Sequence, residues 1–448
     1  MSELHYRTVT TLGDFGPWVS KLVLEIPEEL NGAGISPQIF NVFCARYERT
    51  GEVLMRAERG ADHASPSMGY VPVRAAYPSD AAGNRCRRGS FITLELPETR
   101  LTKRIEGGVM GSRYIENRFR VTLLAELPGD PDSISGLVFD ESDGDLCPAL
   151  DRWHEAAMTK AVDGIQLAYG YYEPDFDREP RQPLGNLGKP EVVPERGALI
   201  VYLHGAGEGA GVDLAGKGGP LVPEGPSRAY TGNRVTALSG AKIQRYFDDA
   251  AWVLVPQCPT FWMDNGVEQL GHSNQSIYVA ALKALIDEFV AAHADRIDPN
   301  RIVIGGLSNG GFMTLRMCRD YPGFFAAGLP CCAPWYDATE EDVASLAQTP
   351  LWFTHSKGDE LVDPTETVLP LYRALAAVGA PAHLTYFDHV EDLTGVYREA
   401  DGSPKKTFNH GVWIHVFNDF CRTEIDGTNV MIDSEPVGLW EWSARQSA

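Results

Sequence analysis

Hydrophobic and polar positions follow two different rules along this chain, and the rule changes near residue 150. From Leu4 to about Pro148 short alternations dominate. "SKLVLEI", "QIFNVFCARYERTGEVLMRAE", "SFITLELPE" and "RFRVTLLAEL" place side chains on two faces in turn, as half-buried strands require. The second of these reads as a hairpin around Thr50-Gly51. No amphipathic helical period interrupts the strands, and Gly, Pro and Asp fill the intervals. The pattern predicts a β-sandwich of immunoglobulin-like type over residues 1–150. "PGDPDSISG" and "DESDGD" are turn-rich and put the boundary there.

Beyond it, strand alternates with helix, which predicts an α/β domain over residues 151–448, a mostly parallel sheet with helices on both faces. "ALIVYL" and "AWVLVP" are continuously apolar, as buried central strands are. In "YVAALKALIDEFVAAHADRI", Leu282, Leu285, Ile286 and Phe289 recur at i, i+3, i+4 and i+7 and give one apolar helical face. Asp298-Pro299-Asn300 turns the chain into the strand "RIVIGG". Further strands are expected at "AAGLPCC", "LWFTHS" and "HLTYFD", with helices in "FMTLRMCRD" and "ETVLPLYRALAAVG".

Composition narrows the classes of partner. The 448 residues are 44% hydrophobic, enough for two cores, and 39 basic against 61 acidic residues leave a formal net charge of -22. Such a surface repels phosphate backbones and anionic lipid, so neither nucleic acid nor membrane is an expected partner. The N-terminal stretch has no basic segment leading into an apolar core, and no apolar run is long enough to span a bilayer, so a soluble, cytoplasmic protein is expected. The eight cysteines lack the spacing of a disulfide or zinc module. Buried thiols are the expectation, with a Cys258 bridge to Cys331–Cys332 as the alternative. No H-E-x-x-H occurs, Lys217 is followed by Gly218 instead of the hydroxyl residue a phosphate loop needs, and G-x-G-x-x-G breaks at Ala210. No metal and no cofactor are expected. Self-association into a homo-oligomer stays open.

The chemistry-bearing stretch is "RIVIGGLSNGGFMT", in which Gly306-Leu307-Ser308-Asn309-Gly310 follows a strand and precedes a helix. That context suits a serine raised on a strained turn. A serine hydroxyl needs a base to take its proton and an acid to orient that base. After the strand "LWFTHS" two acids follow, Asp359 and Asp363. Asp363, with Pro364 next and Glu366 three residues on, has the signature of a helix N-cap, which makes Asp359 the preferred acid. His410, in "KTFNHGVW", is preferred as base over His389. Oxyanion donors are expected from the amides of Asn309 and of Ala206, the latter in "HGAGEGAG" with Gly207 in reserve. His204 reads as a turn-stabilising residue. Trp262, Trp335 and Tyr336 are candidates to line a substrate pocket, against a core-packing role for each.

Taken as a set, "LAYGYYEP", "YLHGAGEGAGVD", "VPQCP", "IGGLSNGGFMT", "THSKGDELVDP" and "DLTGVYREADGSPKKTFNHGVW" resemble the α/β-hydrolase esterases related to polyhydroxybutyrate depolymerases and feruloyl esterases. The branch resembled carries an immunoglobulin-like domain before a prolyl-oligopeptidase-like catalytic domain. The resemblance spans residues 165–445, with the first 150 matched by architecture alone. It implies cleavage of a small-molecule carboxylic ester through an acyl-enzyme, with Ser308 as nucleophile, Asp359 as acid, His410 as base and the amides of Ala206 and Asn309 as oxyanion hole. "HGVW" departs from the aromatic or serine expected after the histidine, and the long segment Val212–Gln244 is expected to form a lid or pocket wall. Two rivals are a serine peptidase using the same triad, and a binding protein whose hydrolase domain has degenerated.

Overall fold

The computed structural model describes residues 4–31, 34–57, 64–104, 112–127, 135–180, 192–209 and 225–448. They divide into two compact units between Asp151 and Arg152.

The first unit is built of strands: β1 (Leu4–Gly13), β2 (Gly16–Asn31), β3 (Phe40–Glu48), β4 (Met55–Ala57), β5 (Ala64–Pro66), β6 (Met68–Val71), β7 (Ala75–Ser79), β8 (Arg88–Arg100), β9 (Thr102–Arg104), β10 (Ser112–Leu123) and β11 (Val138–Leu146). Hydrogen-bonded neighbours run in the order β6-β3-β10-β11-β1-β2-β8-β7, with β9 on β10. Alternation decides which faces turn inward. Phe40, Val42 and Cys44 of β3 are buried, and opposite them stand Leu123, Val121 and Phe119 of β10, also buried. These join Leu22, Leu24, Leu94 and Phe139 in one core. The Thr50-Gly51 turn carries Tyr47 back opposite Val53, after which β4 pairs with β5 while β3 takes β6 as its neighbour.

The second unit holds one eight-stranded sheet, β12 (Trp153–Ala157), β13 (Ala168–Tyr172), β14 (Gly197–Leu203), β15 (Trp252–Gln257), β16 (Ile297–Leu307), β17 (Ala327–Cys331), β18 (Leu351–Ser356) and β19 (Ala382–Phe387). Their order is β12-β13-β15-β14-β16-β17-β18-β19, with β12 and β13 joining antiparallel and the pairs from β15 to β19 parallel. Every residue of β14, β15, β17 and β18 is buried, because crossover helices cover the sheet. The helices are α1 (Ser227–Thr231), α2 (Ala241–Gln244), α3 (Val279–Ala292), α4 (Asn309–Asp320), α5 (Glu340–Leu346), α6 (Val368–Ala377), α7 (Trp413–Phe417) and α8 (Leu439–Ala444). The apolar face of α3 is buried as its spacing predicts, with Leu282, Leu285, Ile286 and Phe289 all in the core.

Four features bear on the sequence pattern, departing from it or extending it. The hairpin of β12 and β13 adds a strand pair that apolar periodicity did not announce, turning at Asp163 (φ 50°) and Gly164 (φ 79°). The helix expected to start at Asp363 begins at Val368 instead. The Asp363 carboxylate accepts from the Thr365 amide at 2.8 Å and caps a separate turn that precedes α6. All eight cysteines are free thiols, Cys258, Cys331 and Cys332 among the buried ones. Of the segment Val212–Gln244, the part up to residue 224 lies outside the described residues. The remainder packs inward, with Tyr230 stacked on Trp153 at 4.7 Å and Val235, Leu238 and Ile243 buried. Among the described residues, no helix is long and apolar enough to cross a membrane.

A Cβ at Gly164 would meet nothing within 4 Å, so replacing this glycine probes the backbone alone. We expect Gly164→Ala to destabilise the protein by about 1–2 kcal/mol in urea unfolding, the cost of a left-handed residue with a Cβ. Gly164→Asn should lose less, since asparagine tolerates that conformation.

Candidate active site

Strand β16 ends in a turn too tight for ordinary backbone. Ser308 takes φ 53° and ψ -116°, and α4 begins at the next residue. Such a conformation persists only where the surroundings over-determine it. Here the Ser308 amide donates to the Cys331 carbonyl at 2.7 Å, and the Phe312 amide donates to the Ser308 carbonyl at 2.9 Å. The first turn of α4 is pressed against the end of β14 as well. A Cβ at Gly310 would stand 2.0 Å from the Leu203 carbonyl oxygen and 2.6 Å from that of His204, so the crossing admits no side chain. The serine is thereby raised at the C-terminal end of the parallel strands, and its side chain is only partly buried.

Asp359 follows β18 and is the most heavily bonded carboxylate on this edge. Its Oδ2 receives His410 Nδ1 at 2.7 Å and lies 3.1 Å from His355 Nε2. Its Oδ1 accepts from the amides of Leu361 at 2.9 Å and Val362 at 3.0 Å. Burial alone would raise this carboxyl. The hydrogen bonds from His355 and His410, the nearness of His410 and the Val362 amide outweigh it and hold the group well below the usual carboxylate range. It is an anion at any ordinary pH.

His410 is 5% exposed and sits at the end of a long excursion after β19. Between Val390 and Thr407 the chain forms an exposed loop with Glu391 opposite Lys406 and Arg398 opposite Pro404. Asn409 closes it. The Asn409 side-chain oxygen accepts from the Val390 amide at 3.1 Å, and its carbonyl accepts from Ser356 Oγ, at the end of β18, at 2.8 Å. His389 is exposed, and it is His410 that bonds Asp359. His383 pairs with Glu424 at 2.6 Å.

The loop after β14 is fixed by His204. The Cys258 amide donates to its Nε2 at 2.9 Å, so Nδ1 carries the hydrogen and donates to the Gly205 carbonyl at 2.7 Å. Burial pushes this ring down to about 4, so it is neutral in the folded protein. Ala206 opens the short turn Ala206–Glu208 directly after it, with Gly207 inside that turn. Gln257 Nε2 steadies the turn's end by donating to the Glu208 carbonyl at 3.1 Å. Asn309 is the first residue of α4, and its side-chain oxygen accepts from the Trp262 amide at 2.6 Å.

The three aromatic candidates separate. Trp262 and Trp335 are 0% and 1% exposed and belong to the core cluster, Trp335 stacked on Phe312 of α4 at 5.8 Å. Neither indole presents a face to solvent. Tyr336 is half-buried, stacks on His272 at 3.8 Å, and is clasped through its backbone by Asn274. Cys332 was not a candidate from the sequence. Its Sγ contacts the His410 carbonyl at 3.6 Å, and the donor atoms of Cys332, Asp359 and His410 lie within 4.8 Å of one another. As a metal-ligand set the trio fits poorly: burial pushes the Cys332 thiol well above its ordinary value, and both Asp359 oxygens already hold hydrogen-bond donors.

Sequence comparison agrees with this architecture. Residues 5–114 match the esterase immunoglobulin-like N-terminal domain, and residues 260–367, which include Ser308 and Asp359, match the prolyl oligopeptidase family. The chain joins these two domains. Its fold is that of a thermostable esterase, with a TM-score of 0.70 at 20% identity over 99% of this chain and 100% of that one. The second unit has the α/β-hydrolase fold. Among curated proteins, the chain is 28% identical over 149 residues to an oxidized polyvinyl alcohol hydrolase from Pseudomonas sp, covering 32% of this chain and 37% of that one. It is 37% identical over 71 residues to poly(3-hydroxyalkanoate) depolymerase C from Paucimonas lemoignei, covering 16% of this chain and 17% of that one. The chain thus spans well under half the length of the curated relatives it matches.

Two outcomes follow from the packing. Gly310→Ala should destabilise the second unit by at least ~2 kcal/mol, the cost of overpacking a closed crossing, read as a fall in Tm. The pH dependence follows from His204 and His415, both lowered by burial from 6.5 to about 4. Between those limits the unfolded chain binds protons that the folded one refuses, so stability falls as pH drops through that window. His415→Leu should flatten the slope of unfolding free energy between about pH 6.5 and 4, measured by urea titration.

Proposed function

We propose that this chain is a serine hydrolase that cleaves carboxylic esters of small substrates through an acyl-enzyme intermediate. The observation that carries the reading is the buried 2.7 Å hydrogen bond between His410 Nδ1 and Asp359 Oδ2, held on the sheet edge where the strained Ser308 is raised. With Nδ1 committed to the carboxylate, Nε2 is the nitrogen free to work as a base.

In this reading Ser308 Oγ attacks the acyl carbon while His410 Nε2 takes its proton. The oxyanion is met by the amides of Ala206 and Asn309, which the His204 loop and the start of α4 hold in place before reaction. His410 returns the proton to the departing alcohol oxygen. Water then attacks the acyl-enzyme by the same sequence, the acid leaves, and Ser308 recovers its proton. Asp359 stays ionised throughout and stabilises the imidazolium. The match to an esterase domain, the whole-length likeness to an esterase fold and two curated hydrolase relatives support the same class of reaction.

The prolyl oligopeptidase match keeps one rival in view, an amide-cleaving enzyme with the same machinery. Short-chain p-nitrophenyl esters and short peptide p-nitroanilides are the substrates that separate the two. Ester turnover should dominate, and Ser308→Ala should lower it by at least about 10³-fold. A fluorophosphonate probe should add once, on Ser308, in mass spectrometry. Preferred turnover of the anilides would transfer the chain to the peptidases. No turnover and no adduct from folded protein would remove the hydrolase reading altogether.

A further inference from the structure

Asp359 is shared by two histidines, and the proposed reaction uses only one. His355 lies on β18, four residues before Asp359, with its side chain fully buried. Its Nε2 is 3.1 Å from Asp359 Oδ2 and 3.0 Å from the Val362 carbonyl oxygen. A carboxylate and a carbonyl can only accept, so Nε2 carries the hydrogen. Nδ1 has no partner among the described residues. A proton there would add an unsatisfied donor and a second charge inside the core, which is costly. The neutral ring's Nε2 hydrogen goes to the Val362 carbonyl, with Asp359 Oδ2, the oxygen that holds His410, beside it at 3.1 Å.

That arrangement constrains the carboxylate. Two amides fix Oδ1, while His410, the Cys332 thiol and His355 are the side chains set against the carboxylate. The other ionisable groups around the pair sit differently: the Cys332 thiol beside His410, Tyr336 within electrostatic reach of Asp359, and Asp363 exposed on the following turn. The Cys332 thiol also hydrogen-bonds Asp359, so His355 is one of two groups besides His410 that steady the carboxylate.

We propose that His355 is a positioning residue for the serine–histidine chemistry: its Nε2–H keeps Asp359 Oδ2 in line with His410 and tempers the basicity of that carboxylate, so that the pH at which His410 loses its proton is set partly from β18. The proposal rests on the hydrolase reading above. Two consequences have definite signs. Removing the donor frees the carboxylate to turn, which misplaces the base. It also makes Asp359 a stronger partner for the imidazolium, so His410 holds its proton to higher pH.

The test begins on the native protein, where ¹⁵N NMR of the histidine rings reads the tautomer directly. His355 should be neutral with its hydrogen on Nε2. A hydrogen on Nδ1 overturns the proposal whatever the activity. Two variants then separate positioning from packing. His355→Phe keeps bulk and removes the donor, while His355→Gln restores an N–H near the Nε2 place. With both shown folded by circular dichroism, kcat of the Phe variant on a p-nitrophenyl ester should fall about tenfold or more with KM little changed, as misplacement of a catalytic group predicts. Its acid limb should move to higher pH, and the His410 Nδ1 proton signal should shift. The Gln variant should recover most of each. Wild-type kcat and pH limb in His355→Phe overturns the proposal, as does a Gln variant as impaired as the Phe variant. Should the Phe variant not fold, the native tautomer and a Gln variant with the native pH limb support the proposal, and a Gln variant with a displaced limb overturns it. Native protein without ester turnover overturns the hydrolase reading. In that case an unshifted His410 Nδ1 signal in both variants overturns the positioning claim, and a signal shifted by Phe and restored by Gln sustains it.

Discussion

The crossing of α4 over the end of β14 is the contact on which the site's geometry depends. Backbone meets backbone there, with the Leu203 and His204 carbonyls against Gly310. That closeness forces the chain to reverse within one residue, and Ser308 absorbs the reversal in a conformation that costs on the order of 1–3 kcal/mol. The cost is carried by the packing beyond it. Phe312, Met313, Leu315 and Met317 of α4 are all buried in the main core, so the helix cannot back away from the strand to relax the turn. The same contact brings Asn309 beside the loop that His204 ties to Cys258, and the Asn309 and His204 side chains each bond a backbone amide of the segment after β15.

Around this rigid turn the polar groups are arranged so that few are charged. His204 and His415 are kept neutral by burial, and the Asp359 carboxylate is the anion that the structure surrounds with donors. A buried charge is tolerable only when its lone pairs are met, and here two amides and two imidazoles meet them. The low-dielectric setting strengthens each of those bonds, which is why a single carboxylate can orient a ring brought in by a loop.

How much of this could be read from the sequence depended on what each residue's neighbours were doing. Strand β16 starts at Ile297 and takes in the Asp298-Pro299-Asn300 stretch expected to turn. The buried strands β14 and β15, by contrast, announced themselves as continuous apolar runs, and α3 by its periodic face, because burial on both sides or on one side leaves those marks. The hairpin of β12 and β13 left none, since only Trp153 of β12 is buried. The Asp163-Gly164 turn was its one local signal. Asp363 carried the marks of a helix cap because a capped turn and a capped helix ask the same of their first residue. Ser308, Asp359 and His410 were singled out by chain order and local roles; the structure bonds His410 to Asp359 and places Ser308 at the end of β16. His355 was not, because a histidine inside an apolar strand looks the same in sequence whether it packs or donates. Trp262 and Trp335 show the converse: loop positions near the sheet edge suggested a pocket, and the indoles turn into the core instead.

The loop between Val390 and Thr407 is closed at its base by backbone and by Asn409, so the position of His410 is decided before the loop begins and after it ends. Its residues are mostly exposed and make their hydrogen bonds among themselves. Lineages of this chain can therefore lengthen, shorten or rewrite those residues with little penalty to the histidine they lead into. Variation in what the protein meets at this rim is in that sense uncoupled from variation in its chemistry, and selection can act on the one while the other stays fixed.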